Sequence, residues 1–496
     1  MGVIIRQSIV TTIISYIGVV VGYVNLLYLY PLFLSQEQIG LMRTVQDSAI
    51  LMAQFAQFGL AQSIIKFFPR FMGNVLHSKN FINIILFLGL LAFGFFLIVF
   101  FIFENQIQGY FQHNAREFIH YTSLALWLTF ITVVATLLEV YSRSLLRNIL
   151  PNLLKEIVVR VLLGVLVLFY FKGFITFPDV MIGSVLVYVF CLLVLAIALI
   201  IQGYIHAKID FKLIDPAFRN ELMSFSILSF AGTAGLIVIG KIDSLMVAGL
   251  LGLAPVAIYT TAYYMATVIE IPKRAMTQIA APLIARGLEK NDYEDVKNIY
   301  QKTSLNQFIL GALLLIGIGA NLDSIFLLMP KGSQYATGYW VVMIVGAGKL
   351  VDMLFGPSSE IIVYSKYYRF NIILIILLAI IIITANNILI PLYGIEGAAW
   401  ATALILTIFN LVKFIFIWFR MDLQPFSFAF LKVLMITVIA WTAQWLLPRI
   451  DTIILDMIVR STLITIIFGS LIVWSNVSPD GNNLIKKGLG LLGIRK

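Results

Sequence analysis

The chain has 496 residues, of which 61% are hydrophobic and 12% charged, and its formal net charge is +10. Its mean hydropathy is +0.99, whereas a soluble domain carries about twice this share of charged residues. These values exclude a soluble domain and a membrane-anchored enzyme, and they indicate a polytopic membrane protein.

Apolar runs of about 20 residues predict an all-α chain with about 14 membrane-spanning helices. The first run begins after Arg6 and is too long for a signal peptide. The predicted limits are 7–30, 37–63, 81–103, 117–141, 153–171, 179–204, 221–248, 254–284, 304–329, 338–364, 370–391, 395–419, 428–447 and 453–474.

The distribution of basic residues predicts the orientation of these helices. If the N-terminus is cytoplasmic, the inner loops receive about 22 Lys and Arg residues and the outer loops about 4. An error in an early span would invert the later loops and remove this asymmetry. We therefore expect an even number of spans, with both termini in the cytoplasm.

The second predicted helix is unusually polar along one face. Periodicity places its polar side chains within about 100° of arc. This pattern predicts either the wall of a water-filled cavity or hydrogen bonds between helices, and Arg43 and Asp47 can also neutralise each other at i,i+4. The candidate binding residues of this helix are Arg43, Gln46, Asp47, Gln54 and Gln57.

Residues 221–286, the central stretch of the sequence, are predicted to form two membrane helices joined by a short turn near Gly252–Pro255. The second carries Glu270, Lys273 and Arg274 in an apolar span, beside a kink expected at Pro272. Glu270 reaches either cation at i+3 or i+4, so one cation is left over. An unpaired cation in a cavity attracts an anion such as phosphate; alternatively, both cations snorkel to the headgroups.

The tenth predicted helix repeats this theme. Lys349, Asp352 and Glu360 lie along one side, and Gly356 and Pro357 loosen the backbone between them. Broken helices at membrane depth usually line a cavity. A structural kink with a paired Lys349 and Asp352 is the alternative. We treat Lys349 as a candidate anion ligand, and Glu270, Asp352 and Glu360 as candidate coupling or pairing carboxylates.

Other kinds of site have no support in the sequence. The single cysteine, Cys191, lies in an apolar run, and the four histidines have no metal-binding spacing. A nucleotide-binding GxxxxGK[ST] loop is missing. The short outer loops show no catalytic arrangement for a glycan polymerase or transferase. We expect no enzyme activity, no cofactor, no metal and no nucleic-acid partner; coupling to H⁺ or Na⁺ stays open.

Three passages carry a resemblance that spans essentially the full length. They are QIGLMRTVQDSAILMAQFAQFGLAQSIIKFFPR at 38–70, KIDSLMVAGLLGLAPVAIYTTAYYMATVIEIPKRAMTQIAAPLIAR at 241–286, and PLYGIEGAAWATAL at 391–404. In their order and spacing, the chain resembles the polysaccharide-biosynthesis flippases (the Wzx, O-antigen or lipid-linked oligosaccharide translocase group). These belong to the multidrug/oligosaccharidyl-lipid/polysaccharide exporter superfamily.

This resemblance implies two six-helix bundles around a central cavity, followed by two extra helices. The corresponding domains are 1–215, 216–425, and 426–496 with a basic cytoplasmic tail. It also implies export of an undecaprenyl-pyrophosphate-linked oligosaccharide across the bacterial inner membrane by alternating access. The cations of helices 2, 8 and 10 would hold the pyrophosphate and sugars. Membrane lipids, and a polysaccharide polymerase and ligase, are the expected partners.

Two alternatives remain at this point. An ion-coupled drug or metabolite antiporter of the same fold would use a carboxylate such as Asp47, Glu270 or Asp352. Such antiporters often carry a coupling carboxylate in the first helix, where this chain offers only Asn25 and Ser15 as notable polar groups. A membrane-embedded glycan polymerase would need an essential acid on an outer loop, and the sequence offers no such residue.

Overall fold

The computed structural model describes residues 2–72, 75–205, 215–446 and 449–477. The regular elements in these ranges are helices, so the predicted all-α fold is confirmed. The predicted basic tail falls within residues 478–496, outside the described part of the chain.

The chain divides into two compact units, residues 1–257 and 258–496. The helix over residues 216–251 belongs to the first unit, where it packs against the helix over residues 36–56. The three domains inferred from the resemblance stay a prediction: 1–215, 216–425 and 426–496.

The first unit contains helices α1 to α12. Local sequence explains where several of them begin. Ser35 and Gln38 form a reciprocal capping box at the start of α3, and Asp215 accepts a hydrogen bond from the backbone N–H of Phe218 at the start of α12. The helices are α1 (Gly2–Tyr23), α2 (Tyr30–Phe33), α3 (Gln36–Ala56), α4 (Leu60–Phe67), α5 (Val75–Ile102), α6 (Glu104–Phe111), α7 (Arg116–His120), α8 (Thr122–Ser144), α9 (Ile149–Leu153), α10 (Val159–Phe171), α11 (Phe177–Ile201) and α12 (Pro216–Leu251).

The second unit contains the remaining helices, and α13 begins just before its boundary. A 3₁₀ turn at Val268–Glu270 separates α13 from α14, which places a break beside Pro272, as predicted. The helices are α13 (Leu253–Thr267), α14 (Ile271–Glu289), α15 (Tyr293–Leu328), α16 (Gly332–Tyr335), α17 (Tyr339–Leu354), α18 (Ser358–Tyr364), α19 (Tyr368–Tyr393), α20 (Ile395–Met421), α21 (Phe428–Leu446) and α22 (Ile453–Trp474).

Within the described residues, 10 helices are long and apolar enough to cross a membrane, and 11 spans result if the bent pair α3 and α4 counts as one. The predicted number of about 14 is not confirmed. Turns of π or 3₁₀ helix divide the helical stretches 149–171 and 253–289, and the apolar part of α21 is short. The chain is nevertheless a multi-pass membrane protein.

A sharp bend separates α3 from α4, with an angle of 55° between them. Gly59 at the bend has φ +76°, a left-handed conformation that side chains disfavour. A Cβ at this position would lie 2.2 Å from the backbone oxygen of Ser226 on α12. Only glycine therefore fits both the turn and the close approach of α12. Beside the bend, the hydroxyls of Ser63 and Ser226 lie 2.7 Å apart.

A second interruption lies between α17 and α18. Gly356 adopts φ +54° there, and Pro357 precedes the first residue of α18. A Cβ on Gly356 would lie 2.0 Å from Oγ of Ser304 on α15. The helix break predicted from Gly356 and Pro357 is thus confirmed, and it sets the direction in which α18 leaves α17.

Apolar side chains fill the interior of each unit. In the first, a cluster around Phe67, Phe81 and Tyr141 joins α4, α5 and α8. In the second, Phe308 and Phe468 belong to a cluster between α15, α21 and α22. Large apolar side chains also cover the outside, as expected for helices that face lipid tails. Polar side chains inside these helices therefore need a specific explanation.

Candidate functional site

The polar face of α3 meets α12 inside the first unit. Asp47 is 6% exposed, and its carboxylate accepts hydrogen bonds from Lys241 Nζ at 2.6 Å and from Ser244 Oγ at 2.7 Å. Desolvating a carboxylate is costly unless a cation and hydrogen bonds compensate it. Asp47 is therefore held by two residues of α12, Lys241 and Ser244, which follow it in the sequence by 194 and 197 positions.

The other candidate residues of α3 have different environments. Arg43 and Gln46 are half-buried, and Gln57 Nε2 donates to Gln54 Oε1 at 2.5 Å. The side-chain oxygen of Gln57, Oε1, is buried and has no hydrogen-bond partner among the described residues. The α3 face thus contains an ion pair to α12, formed by Asp47, and an internal amide pair, formed by Gln54 and Gln57.

The second unit contains a network of charged side chains at the junction of α14 and α17. Glu270, in the turn before α14, accepts a hydrogen bond from Lys349 at 2.7 Å and lies 3.7 Å from Arg274. The 3₁₀ turn that carries Glu270 packs on α17, which explains why its main partner comes from that helix. We call the following residues the ionic cluster: Glu270, Lys273, Arg274, Lys349 and Asp352.

Lys273 contacts the other carboxylate of the ionic cluster, that of Asp352. Asn410 Nδ2 of α20 donates to the second oxygen of Asp352 at 2.9 Å. The expectation that Lys273 or Arg274 is left without a carboxylate is therefore wrong. It counted only partners on the same helix, whereas α17 supplies a carboxylate for Lys273. The alternative pairing of Lys349 with Asp352 is also replaced, because Lys349 bonds to Glu270.

Exposure distinguishes the members of the ionic cluster. The side chain of Arg274 is 69% exposed, whereas those of Lys273 and Lys349 are 19% and 11% exposed. Arg274 also has the longest ion-pair distance of the three. A guanidinium that is open on one side and loosely paired on the other can accept a planar or tetrahedral oxyanion through two hydrogen bonds.

Aromatic side chains and a further lysine, Lys413, lie next to the ionic cluster. Lys349 Nζ lies 5.7 Å from the centre of the Tyr263 ring. Lys413 on α20 is only 1% exposed; it donates to Ser359 Oγ at 2.8 Å and lies 3.8 Å from the centre of the Phe409 ring. Glu360 on α18, a candidate carboxylate, lies near enough to Lys413 for an electrostatic interaction.

Sequence reasoning missed three of these residues. Lys241 is not among the candidate residues, although it is the partner of Asp47. Asn410 and Lys413 were not considered, although they are polar residues at i,i+3 within the apolar helix α20. That spacing is a usable signal, because polar side chains inside a membrane helix usually face protein.

Metal chemistry has no support within the described residues, where no group of three or more His, Cys, Asp or Glu side chains could hold a metal ion. Cys191 is a buried free cysteine in the core of the first unit. The charged side chains of the ionic cluster can bind an anion or exchange ion-pair partners.

Comparisons with known proteins agree with this architecture. A family model described as "Polysaccharide biosynthesis protein" matches residues 4–288. No curated protein sequence matches the chain.

Solved structures share the fold at low sequence identity. A structure described as the lipid II flippase MurJ in an inward closed conformation has a TM-score of 0.72 and 15% identity, and the match covers 95% of this chain and 100% of that one. An inward-facing multidrug resistance MATE family transporter of the MOP superfamily has a TM-score of 0.65 and 14% identity, and the match covers 82% of this chain and 94% of that one. An outward-facing MATE family transporter of the same superfamily has a TM-score of 0.55 and 13% identity, and the match covers 85% of this chain and 95% of that one.

Proposed function

The chain belongs to the polysaccharide biosynthesis protein family, and from this premise we propose that it is a flippase for a lipid-linked oligosaccharide. The substrate in this proposal is an undecaprenyl-pyrophosphate-linked repeat unit of O-antigen, capsule or exopolysaccharide. The described fold, shared with a lipid II flippase, supports transport of such a molecule.

One observation carries the proposal: the ionic cluster concentrates basic side chains in a membrane region otherwise built from apolar helices. Each charge at membrane depth costs roughly 2.5–3.5 kcal/mol on insertion scales, so retaining several needs a reason. Together with Lys413, the cluster contains four basic side chains against the carboxylates of Glu270, Asp352 and Glu360. This leaves one formal positive charge in excess, which favours a polyanionic ligand.

In this proposal, Arg274 makes the first contact with the pyrophosphate because it is the most exposed cation of the cluster. Lys273 and Lys349 then exchange part of their contact with carboxylates for contact with phosphate oxygens. The amides Gln46, Gln54 and Gln57 and the cation Arg43 are proposed to contact sugar. The lipid tail stays in the bilayer while the protein alternates between its two access states.

The proposal also covers the location of the protein, its partner proteins and the driving force of transport. We place the protein in the inner membrane of a bacterium, with both termini in the cytoplasm. It would work beside a polysaccharide polymerase and ligase, without a cofactor, and be driven by H⁺ or Na⁺ or by removal of product on the outer face.

The test is genetic and chemical. The gene is deleted in its host and complemented with the wild-type chain or with single Ala replacements of Arg43, Lys273, Arg274 and Lys349. Surface polysaccharide and lipid-linked precursor on the inner leaflet are measured, and protein amounts are checked by immunoblot. Lys172→Ala, outside the ionic cluster, is the matched control.

We expect the deletion strain to lose surface polysaccharide and accumulate precursor, and a well-expressed variant of the ionic cluster to reproduce both effects. Normal surface polysaccharide in the deletion strain, with altered sensitivity to drugs, would contradict the flippase and favour the antiporter of the same fold.

A further inference from the structure

Asp352 on α17 is shared between two other helices. Lys273 on α14 contacts one carboxylate oxygen, and Asn410 on α20 donates to the other at 2.9 Å. The residue is 8% exposed. A buried carboxylate strongly resists losing its cation, because the unpaired charge would remain desolvated. Lys273 can therefore leave Asp352 for a ligand only at a high cost, unless a second cation replaces it.

A second cation is close by, in Lys413. It follows Asn410 by three positions on α20, so the two side chains lie on the same side of that helix. Asn410 bonds to Asp352, and Lys413 is near enough to Asp352 to interact with it electrostatically. Within the described residues, however, Lys413 forms no ion pair. Its hydrogen bond goes to Ser359, and its ammonium lies against the Phe409 ring.

This arrangement is unusual for a lysine that is 1% exposed. A serine hydroxyl and an aromatic face compensate a buried ammonium less well than a carboxylate does. The charged groups that face Lys413 are Asp352 from α17, Lys273 from α14 and Glu360 from α18. Lys273 repels Lys413, and Asp352 attracts it. The two lysines therefore compete for one carboxylate, and Lys273 holds it in this structure.

We propose that Lys413 is a positioning residue for the anion site: when a pyrophosphate draws Lys273 away from Asp352, Lys413 leaves Ser359 and takes the vacated carboxylate. This inference rests on the proposed function, since it assigns a mechanism to the same ionic cluster. The carboxylate keeps a cation in both states, so releasing Lys273 costs less than it would with a single lysine.

The exchange also explains which anions the site would accept. A ligand must compete with carboxylates that already hold Lys273 and Lys349. A monovalent carboxylate offers no more charge than the group it displaces. A pyrophosphate carries several charges and can engage both lysines and Arg274 together. The site would therefore select pyrophosphate over acetate or a simple uronic acid.

The test measures binding of inorganic pyrophosphate to the purified full-length chain in lipid nanodiscs by titration calorimetry. We expect Lys413→Met to weaken binding roughly tenfold, the factor associated with one hydrogen bond to a charged group. Asp352→Asn removes the competitor for Lys273 and should tighten binding. In the Asp352→Asn background, the additional Lys413→Met change should have no further effect, because there is no carboxylate left to compensate.

Ser359→Ala gives an independent result of opposite sign. Without the hydroxyl that holds it, Lys413 should shift toward Asp352, release Lys273 and strengthen pyrophosphate binding. Lys432→Met, a lysine outside the cluster whose ammonium lies 3.4 Å from the Ser475 carbonyl oxygen, serves as the control and should leave binding unchanged. Thermal melting of each variant identifies loss of fold, and Ser359→Ala keeps the test decisive if Lys413→Met does not fold.

The outcomes separate this inference from the proposed function. Equal weakening by Lys413→Met in both backgrounds would overturn the exchange, as would weaker binding in Ser359→Ala or no pyrophosphate binding by the wild-type chain. A deletion strain that accumulates precursor would keep the flippase in each of those cases. Conversely, the deletion strain could accumulate no precursor while the variants bind pyrophosphate as expected. That result would contradict the flippase function and support the exchange of lysines at Asp352.

Discussion

Lys349 donates a hydrogen bond to Glu270 across 2.7 Å, although the two residues lie 79 positions apart and each has an oppositely charged residue within four positions along the chain. The pairing of Lys349 is thus decided by packing of α17 on the turn before α14. Both partners are largely shielded, with side-chain exposures of 11% and 19%. This pair joins the turn before α14 to α17, two segments that belong to separate predicted helices.

Removing one member of that pair should be costly. Glu270→Gln leaves Lys349 buried without its closest anion, and we expect a loss of stability of about 3 to 5 kcal/mol, the range for breaking a buried ion pair. Combining Glu270→Gln with Lys349→Met should recover part of this loss, because neither side chain then carries a charge. Thermal melting in one detergent measures the effect. Glu117→Gln on α7 is the control; a cost as small as that of this exposed residue would contradict the pairing.

Asp47 and Lys241 allow a charge-reversal experiment in the first unit. Asp47→Lys or Lys241→Asp alone places two like charges at a contact that now measures 2.6 Å, so each should sharply reduce the yield of folded protein. The double reversal should recover part of that yield, although the hydrogen bond from Ser244 to Asp47 is lost. Fluorescence-detected gel filtration of tagged protein gives the yield. Recovery no better than for the worse single variant would show that the two charges are not coupled.

Gly356 should tolerate no side chain. Gly356→Ala adds a methyl group at φ +54° and 2.0 Å from Ser304 Oγ, and we expect a loss of about 1 to 3 kcal/mol from backbone strain alone. Gly317→Ala is the matched control, since a Cβ there meets nothing within 4 Å inside α15. It should be neutral or raise stability by up to about 1 kcal/mol. Equal melting temperatures for the two variants would exclude strain at the break.

Arg274 and Lys273 should separate function from stability. Arg274→Ala removes a side chain that is 69% exposed and loosely paired, so the melting temperature should change little, by the equivalent of about 0 to 1 kcal/mol. Surface polysaccharide should still fall if Arg274 contacts the anion. Lys273→Ala should lower surface polysaccharide, and it should lower the melting temperature by less than loss of the Glu270–Lys349 pair does, because Lys413 can then replace Lys273 at Asp352. Wild-type polysaccharide levels in well-expressed Arg274→Ala would remove Arg274 from the anion site.

Periodicity and local chemistry predict the all-helical fold and three of the interruptions between helices. The turn at Gly252, the break beside Pro272 and the break at Gly356 are all confirmed, because each depends on a few neighbouring residues. The predicted number of about 14 spans is not confirmed, since turns inside helices divide apolar runs that look continuous in the sequence.

The ion pairs between different helices could not be predicted in the same way, in contrast to the local pair of Glu270 and Arg274. Lys273 has Glu270 three residues before it, yet it contacts Asp352 from another helix. Lys413 and Asn410 become part of the site only because α20 packs on α17. Local spacing gives the partners that are available on one helix, but it contains no information on which distant helix is adjacent.

The link between Asp47 and Lys241 has a consequence for how the chain is made. The two residues are separated by 194 positions, and ribosomes add about 5 to 20 residues per second. Asp47 therefore leaves the ribosome roughly 10 to 40 seconds before its cation does. During this interval Asp47, on a helix with a bend after it, lacks the cation that pairs with it in the folded chain. Membrane integration of this segment is thus expected to finish late, when α12 arrives.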